Sequence, residues 1–144
     1  MGATFTQHPV MIRAVVSTVG MYDMLREELS PNGFFNVPEF GTVKDKDLFN
    51  ALYAYSPYHH VKNGTNYPSI LFLTGANDPR VDPMQSRKMT ARLQASGTSR
   101  PVLLRTTSEA GHGIGTPLKE EIEQDVDVFT FLFHELDVHP RPRS

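Results

Sequence analysis

The sequence contains no cysteine, which excludes disulfide bonds and metal sites built on thiolates. It also lacks any apolar run close to the roughly 20 residues that a membrane-spanning helix needs. Neither positive nor negative charge is in large excess. The net charge of the 144 residues is −2, so neither nucleic acid nor an anionic membrane surface is an expected partner. What remains is an ordinary globular composition, with 39% hydrophobic and 21% charged residues.

Three short aliphatic runs alternate with longer amphipathic segments, which is the pattern of a mostly parallel α/β sheet flanked by helices. We predict strands over residues 14–19, 69–74 and 101–106. Near-continuous apolar runs of this kind are typical of strands that are covered on both faces. Three parallel strands alone would leave an edge open, so we expect the sheet to begin before Met1.

Helices are predicted between the strands. One covers residues 45–55 and ends at Ser56-Pro57, and another covers 83–95, with Met84, Met89 and Leu93 facing inwards. Residues 3–8 resemble the end of a helix that Pro9 terminates.

A last helix opens at Thr116-Pro117, with an acidic first turn. Its apolar residues recur at helical spacing and are expected to belong to the core; they are Ile122, Val126, Phe129 and Phe133. We place a partial α/β domain at 1–136 and expect a disordered tail at 137–144.

Polar residues with catalytic chemistry follow the second and third strands. Asp78 lies in Gly75-Ala76-Asn77-Asp78-Pro79, and His112 lies in Glu109-Ala110-Gly111-His112-Gly113. Each alone is an ordinary loop residue, but functional groups gather at the carboxyl ends of parallel strands. An acid followed by a histidine matches the last two members of the chain order Ser, Asp, His of α/β-hydrolases. Such an acid fixes the imidazole tautomer, and the imidazole takes the nucleophile's proton.

The nucleophile of such a triad is missing from the sequence. No G-x-S-x-G turn occurs. Ser17 lies inside a predicted strand, Ser56 precedes a proline and Ser108 belongs to the histidine loop. A metal-dependent alternative has little support, because His59-His60 is not accompanied by HExxH or a comparable spacing. We therefore expect neither metal nor cofactor.

Three segments together resemble the C-terminal half of the prolyl oligopeptidase catalytic domain: NALYAYSPYHHV at 50–61, LFLTGANDPRVDP at 71–83 and EAGHGIGTP at 109–117. The resemblance extends from Met1 to about residue 136 and implies an α/β-hydrolase fold. It also implies that the serine, in a G-x-S-x-G-G turn, is encoded about six residues before Met1.

The same resemblance implies roles for individual residues. Asp78 corresponds to the triad acid, His112 to the triad base, and Arg80 to the arginine that holds a substrate carbonyl. The family's proline pocket would be lined here by Met21, Asn36, Phe40 and Val81. Asn36 stands where the family has a proline-stacking tryptophan, and this chain has no tryptophan. Phe34, Phe35 and Phe40 are alternative sources of a ring, so the resemblance leaves a preference for proline open.

The expected function is peptide-bond hydrolysis through an acyl-enzyme, with the chain inactive on its own for lack of the serine. The implied partners are a peptide substrate, the N-terminal part of the catalytic domain and a β-propeller, in the cytoplasm or periplasm. Two alternatives remain open. One is a non-catalytic pseudoenzyme or interaction module that pairs through the open sheet edge, and the other is an esterase or acyl-peptide hydrolase of the same fold.

Overall fold

The computed structural model of the protein describes residues 1–107, 111–112 and 116–139. Its strands are β1 Ala14–Thr18, β2 Ser69–Gly75 and β3 Val102–Thr107. Its α-helices are α1 Gly2–Gln7, α2 Val37–Phe40, α3 Lys46–Tyr55, α4 Met84–Gln94 and α5 Leu118–Glu135. Short 3₁₀ turns cover Pro9–Met11, Glu27–Leu29, Gly33–Asn36 and Pro57–His60.

The three strands form one parallel sheet in the order β1-β2-β3. Val15 pairs with Ile70, and Ile70 pairs with Val102, so the carboxyl ends of all three strands reach the same edge. Every residue of β2 is buried, as its unbroken apolar sequence predicts for a central parallel strand. The predicted strands and the parallel sheet are confirmed, with bounds that agree to within one residue.

Hydrophobic side chains cover both faces of the sheet. The larger core cluster joins α1, α4 and one face of the strands through Phe5, Tyr22, Ile70, Phe72, Met89 and Leu93. The opposite face holds a smaller cluster of Leu71, Leu73 and Phe131, on which α5 packs. The sheet is therefore the middle of three layers.

The predicted helices are present, and local chemistry sets their ends. The Asp45 carboxylate accepts hydrogen bonds from the backbone amides of Asp47 and Leu48 and so caps α3. In α4, Met89 and Leu93 are buried as predicted, but Met84 is 52% exposed. The inward assignment of Met84 was wrong, because the first turn of α4 directs this side chain away from the sheet.

The predicted inner face of α5 was also wrong. Val128, Phe131 and Leu132 pack against the sheet, whereas four residues that we expected in the core are exposed: Ile122, Val126, Phe129 and Phe133. Apolar residues occupy two faces of α5, and a three-stranded sheet covers only one of them. Within the described residues, no helix is both long and apolar enough to cross a membrane.

The predicted tail and the loop around Ser108 lie largely outside the described residues, which omit 108–110, 113–115 and 140–144. The expectation of a disordered tail stays a prediction.

Replacing Phe72 by alanine is expected to lower the free energy of unfolding by about 3–5 kcal/mol. Phe72 is fully buried in the centre of β2 and makes edge-to-face contacts with Tyr22 and Phe5, at centroid distances of 5.2 and 6.3 Å. Urea unfolding of the 144-residue chain measures the loss. Phe129→Ala is the matched control, because Phe129 is 56% exposed and should cost less than about 1 kcal/mol. Equal losses for the two variants would contradict the assigned core.

Candidate active site

Asp78 lies in the loop that follows β2, at the carboxyl edge of the sheet. Its side chain is completely buried. One carboxylate oxygen, Oδ1, accepts hydrogen bonds from the backbone amides of Arg80 and Val81, at 2.8 and 3.0 Å. The backbone of the turn after β2 therefore fixes the orientation of the Asp78 carboxylate without a contribution from another side chain. The other oxygen, Oδ2, is left to point in one defined direction.

His112 meets this second oxygen from the loop that follows β3. The distance from Nδ1 of His112 to Oδ2 of Asp78 is 2.8 Å, across 34 positions of sequence. A carboxylate only accepts hydrogen bonds, so Nδ1 carries the proton in this contact. Nε2 is then the ring atom that can accept a proton from a nucleophile. The His112 side chain is a quarter exposed, which leaves one side of the ring accessible.

A cavity of about 140 Å³ lies beside His112 at the carboxyl ends of the strands. Its walls include residues at the ends of all three strands: Thr18 in β1 and Val19 directly after it, Thr74 and Gly75 in β2, and Thr107 in β3. Val19 has a φ of +44°, a left-handed conformation that is rare for a β-branched residue. The chain therefore turns sharply out of the sheet next to the acid–base pair.

The other predicted site residues are distributed over neighbouring surfaces. Asn36 and Phe40 line one small cavity, and Arg80 lines a separate cavity of about 280 Å³ next to Asp78. Met21 and Val81 are half-buried and line neither. The structure brings Asp78 and His112 into direct contact. Of the five predicted substrate-binding residues, it groups Asn36 and Phe40 around one cavity, Arg80 around another, and Met21 and Val81 around neither.

Residues 21–41, which we call the pocket segment, are anchored by buried polar side chains that the sequence analysis missed. Gln85 of α4 accepts hydrogen bonds at Oε1 from the backbone amides of Tyr22 and Asp23, at 3.0 and 2.8 Å. Its Nε2 donates to Oε2 of Glu27 at 2.7 Å. Oε1 of Glu27 accepts from Nδ2 of Asn36 at 3.0 Å. Asn32 also donates to the carbonyl of Pro79, next to Asp78.

Two buried carboxylates in this segment have opposite pKa shifts. Burial raises the pKa of Glu27 above its ordinary value, and the hydrogen bonds from Asn36, Gln85 and Ser30 offset only part of this effect. Burial acts in the same direction on Asp23. There the hydrogen bond and charge of Lys88, with smaller contributions from His59 and Arg26, outweigh it and lower the pKa of Asp23. The difference arises because Glu27 has only neutral hydrogen-bond donors, whereas Asp23 faces cations.

Metal chemistry finds no support in the part of the chain that the structure describes. No group of three or more histidine, aspartate or glutamate side chains is arranged there to hold a metal ion. The imidazole of His59 instead contacts the Ser56 hydroxyl at 2.9 Å, and that of His60 contacts the Ser56 carbonyl at 2.9 Å.

Comparisons with known proteins show which family the chain resembles. The sequence model of the Prolyl oligopeptidase family matches residues 1–139. Prolyl endopeptidases from Elizabethkingia miricola and Dictyostelium discoideum are each 37% identical to this chain, over 139 and 142 residues. These alignments cover 95% and 96% of the chain but only 20% and 19% of those relatives.

A solved prolyl endopeptidase structure is similar over 96% of the chain, with 43% identity and a TM-score of 0.93. The chain covers 20% of that structure, so it corresponds to about one fifth of these relatives. The expected fold, part of an α/β-hydrolase domain, is confirmed by this similarity. From the family match and the similar relatives together, we conclude that the chain belongs to the prolyl oligopeptidase family.

Proposed function

We propose that this chain supplies the acid and the base of a serine peptidase, and that the nucleophilic serine lies outside residues 1–144. The observation that carries the proposal is the 2.8 Å contact between the buried Asp78 carboxylate and Nδ1 of His112. The absence of a G-x-S-x-G turn from the sequence supports the second part. The prolyl endopeptidases that resemble the chain support the choice of peptides as substrates.

The proposed reaction proceeds through an acyl-enzyme. Nε2 of His112 takes the proton from the serine hydroxyl as the serine oxygen bonds to the substrate carbonyl carbon. The same nitrogen then returns the proton to the departing amine, and water repeats the sequence to release the acid. Asp78 stabilises the imidazolium that forms in between. Its orientation is pre-set by the amides of Arg80 and Val81, so it needs no rearrangement during the reaction.

The proposed substrate contacts follow the family resemblance. Arg80 would hold a substrate carbonyl, because a guanidinium offers donors in a fixed geometry. Met21, Asn36, Phe40 and Val81 would line the pocket for the residue before the cleaved bond. Asn36 offers a hydrogen-bonding amide instead of a ring, so the preferred residue need not be proline. The remaining part of the catalytic domain and a β-propeller are the proposed partners of this segment.

Activity assays on two samples test the proposal. One sample is the 144-residue chain, and the other is the complete gene product, by which we mean the full translation of the open reading frame that contains this chain. We expect the complete gene product to hydrolyse N-blocked peptidyl amides and the isolated chain to be inactive, because loss of the serine costs on the order of 10⁶ in turnover. Matched esters and acylated peptides separate a peptidase from an esterase or acyl-peptide hydrolase. Hydrolysis of the esters alone, or of nothing, would overturn the proposal.

A further inference from the structure

Gln85 has only one possible orientation in the structure. Two backbone amides, those of Tyr22 and Asp23, point at one end of its side chain, so that end is the carbonyl oxygen. The other end is therefore the amide nitrogen, and it donates to Oε2 of Glu27 at 2.7 Å. Gln85 is buried at the start of α4, shortly after the Asp78 loop.

The orientation of Gln85 determines that of Asn36 through Glu27. Glu27 is buried and accepts from Gln85 at one carboxylate oxygen and from Nδ2 of Asn36, at 3.0 Å, at the other. The nitrogen of Asn36 is thus turned towards Glu27. Among the described residues, no side chain or backbone group is seen to donate to Oδ1 of Asn36. The carbonyl oxygen is therefore the end of Asn36 that is available to accept a further hydrogen bond.

The backbone around Glu27 is as constrained as its side chain. A Cβ atom at Gly33 would lie 1.8 Å from the Glu27 carbonyl oxygen, so glycine is required there. The Ser30 hydroxyl donates to the same carbonyl at 2.7 Å. The 3₁₀ turn Gly33–Asn36 therefore packs directly on the residue that orients Asn36.

We propose that Glu27 is a positioning residue for substrate selection: it fixes the Asn36 amide so that its carbonyl oxygen accepts a hydrogen bond from the substrate side chain preceding the cleaved bond. The favoured substrates carry a donor on that side chain, such as a hydroxyl, instead of proline. A pocket built to pair a substrate donor rejects an analogue that lacks it, because the pocket's polar atom is left unpaired. This inference rests on the proposed peptidase function.

The test exchanges the donor and the acceptor in the hydrogen bond between Glu27 and Asn36. In Glu27→Gln, the new oxygen must still accept from Gln85, so the new amide nitrogen faces residue 36. Asn36 then has to present its oxygen to that amide and its nitrogen to the substrate. In the double variant E27Q/N36D, a carboxylate at position 36 accepts from the amide introduced at position 27 and again offers an oxygen outwards. Ser30→Ala is the matched control, because the Ser30 hydroxyl donates mainly to the backbone carbonyl of Glu27, at 2.7 Å, and lies farther, at 3.5 Å, from the carboxylate oxygen that accepts from Asn36.

The assay uses the complete gene product and paired substrates with serine or O-methylserine before the cleaved bond. O-methylserine keeps the acceptor oxygen and lacks the donor. We expect the ratio of kcat/KM for serine over O-methylserine to fall about tenfold in E27Q, mainly through KM, and to recover in E27Q/N36D. S30A should leave the ratio unchanged. An unchanged ratio in E27Q, or no recovery in the double variant, would overturn the inference.

Two further measurements separate the failure of this inference from failure of the peptidase proposal. Activity that does not depend on His112 contradicts the peptidase proposal, whatever Glu27 does. Side-chain amide hydrogen exchange of Asn36, measured by NMR on the 144-residue chain, needs no activity. We expect slow exchange in the wild type and fast exchange in E27Q. Fast exchange in the wild type would overturn the role of Glu27, even for an active enzyme.

Discussion

Replacing His112 by alanine in the complete gene product is expected to lower kcat for peptide hydrolysis by a factor on the order of 10⁶. No other described residue contacts the Asp78 side chain in a way that could replace the imidazole. The other contacts of that carboxylate come from the backbone amides of Arg80 and Val81. Without the ring, the serine hydroxyl has no base to take its proton, and the leaving amine has no acid.

His134→Ala is the matched control for this variant. The His134 side chain is exposed near the C-terminal end of α5, where it lines a cavity with Pro101 and Leu103 at the amino end of β3. We expect its kcat to stay within twofold or so of wild type, as is usual for exposed positions. A His112→Ala enzyme that keeps more than about a hundredth of wild-type kcat, with unchanged KM, would remove His112 from the mechanism.

Replacing Asp78 by asparagine is expected to lower kcat by about 10⁴. The structure gives a specific reason. Two backbone amides donate to Oδ1, so this position must stay an oxygen, and the new amide group must occupy the position of Oδ2. That amide faces Nδ1 of His112 at 2.8 Å and can only donate to it. The ring proton is then forced onto Nε2, and the atom that should act as base is blocked.

Asp82→Asn is the control for the loss of a carboxylate in the same loop. Asp82 accepts a hydrogen bond from the Met84 amide at 2.8 Å, as Asp78 does from its own turn, but it has no contact with His112. We expect its kcat to change less than about fivefold, since its role is confined to the turn. Similar losses in the two variants would mean that the loop, and not the tautomer of His112, limits the reaction.

The double variant with both Asp78→Asn and His112→Ala should have the same kcat as His112→Ala alone. Asp78 acts by orienting the imidazole of His112, so its replacement has no further effect once the imidazole is absent. Additive losses would contradict the direct coupling that the 2.8 Å contact indicates.

The sequence predicts the strands of this fold more accurately than the faces of its helices. Continuous apolar runs identify β1, β2 and β3 because a strand buried on both faces needs them. Periodicity also finds α5, yet apolar residues occur on two of its faces. Which face packs on the sheet depends on the position of the helix relative to the strands. In the structure the face that carries Phe131 packs on the sheet, and Phe129 is exposed.

The site shows the same division between local and tertiary information. Asp78 and His112 could be found because each follows a buried strand, and parallel strands bring their carboxyl ends together. The link from Gln85 to Glu27 and Asn36 could not be found, since 58 positions separate Gln85 from Glu27 and nothing in either local sequence marks the contact. A buried glutamate has no sequence signature apart from its type, which usually lies at the surface.

Active-site labelling of the complete gene product with a fluorophosphonate, followed by peptide mass spectrometry, locates the serine that Asp78 and His112 would activate. We predict a single labelled serine, within a G-x-S-x-G turn encoded before Met1, and loss of labelling in His112→Ala. Labelling of a serine within residues 1–144, labelling that persists in His112→Ala, or no labelling at all would contradict the account of this chain as the acid–base part of a serine peptidase.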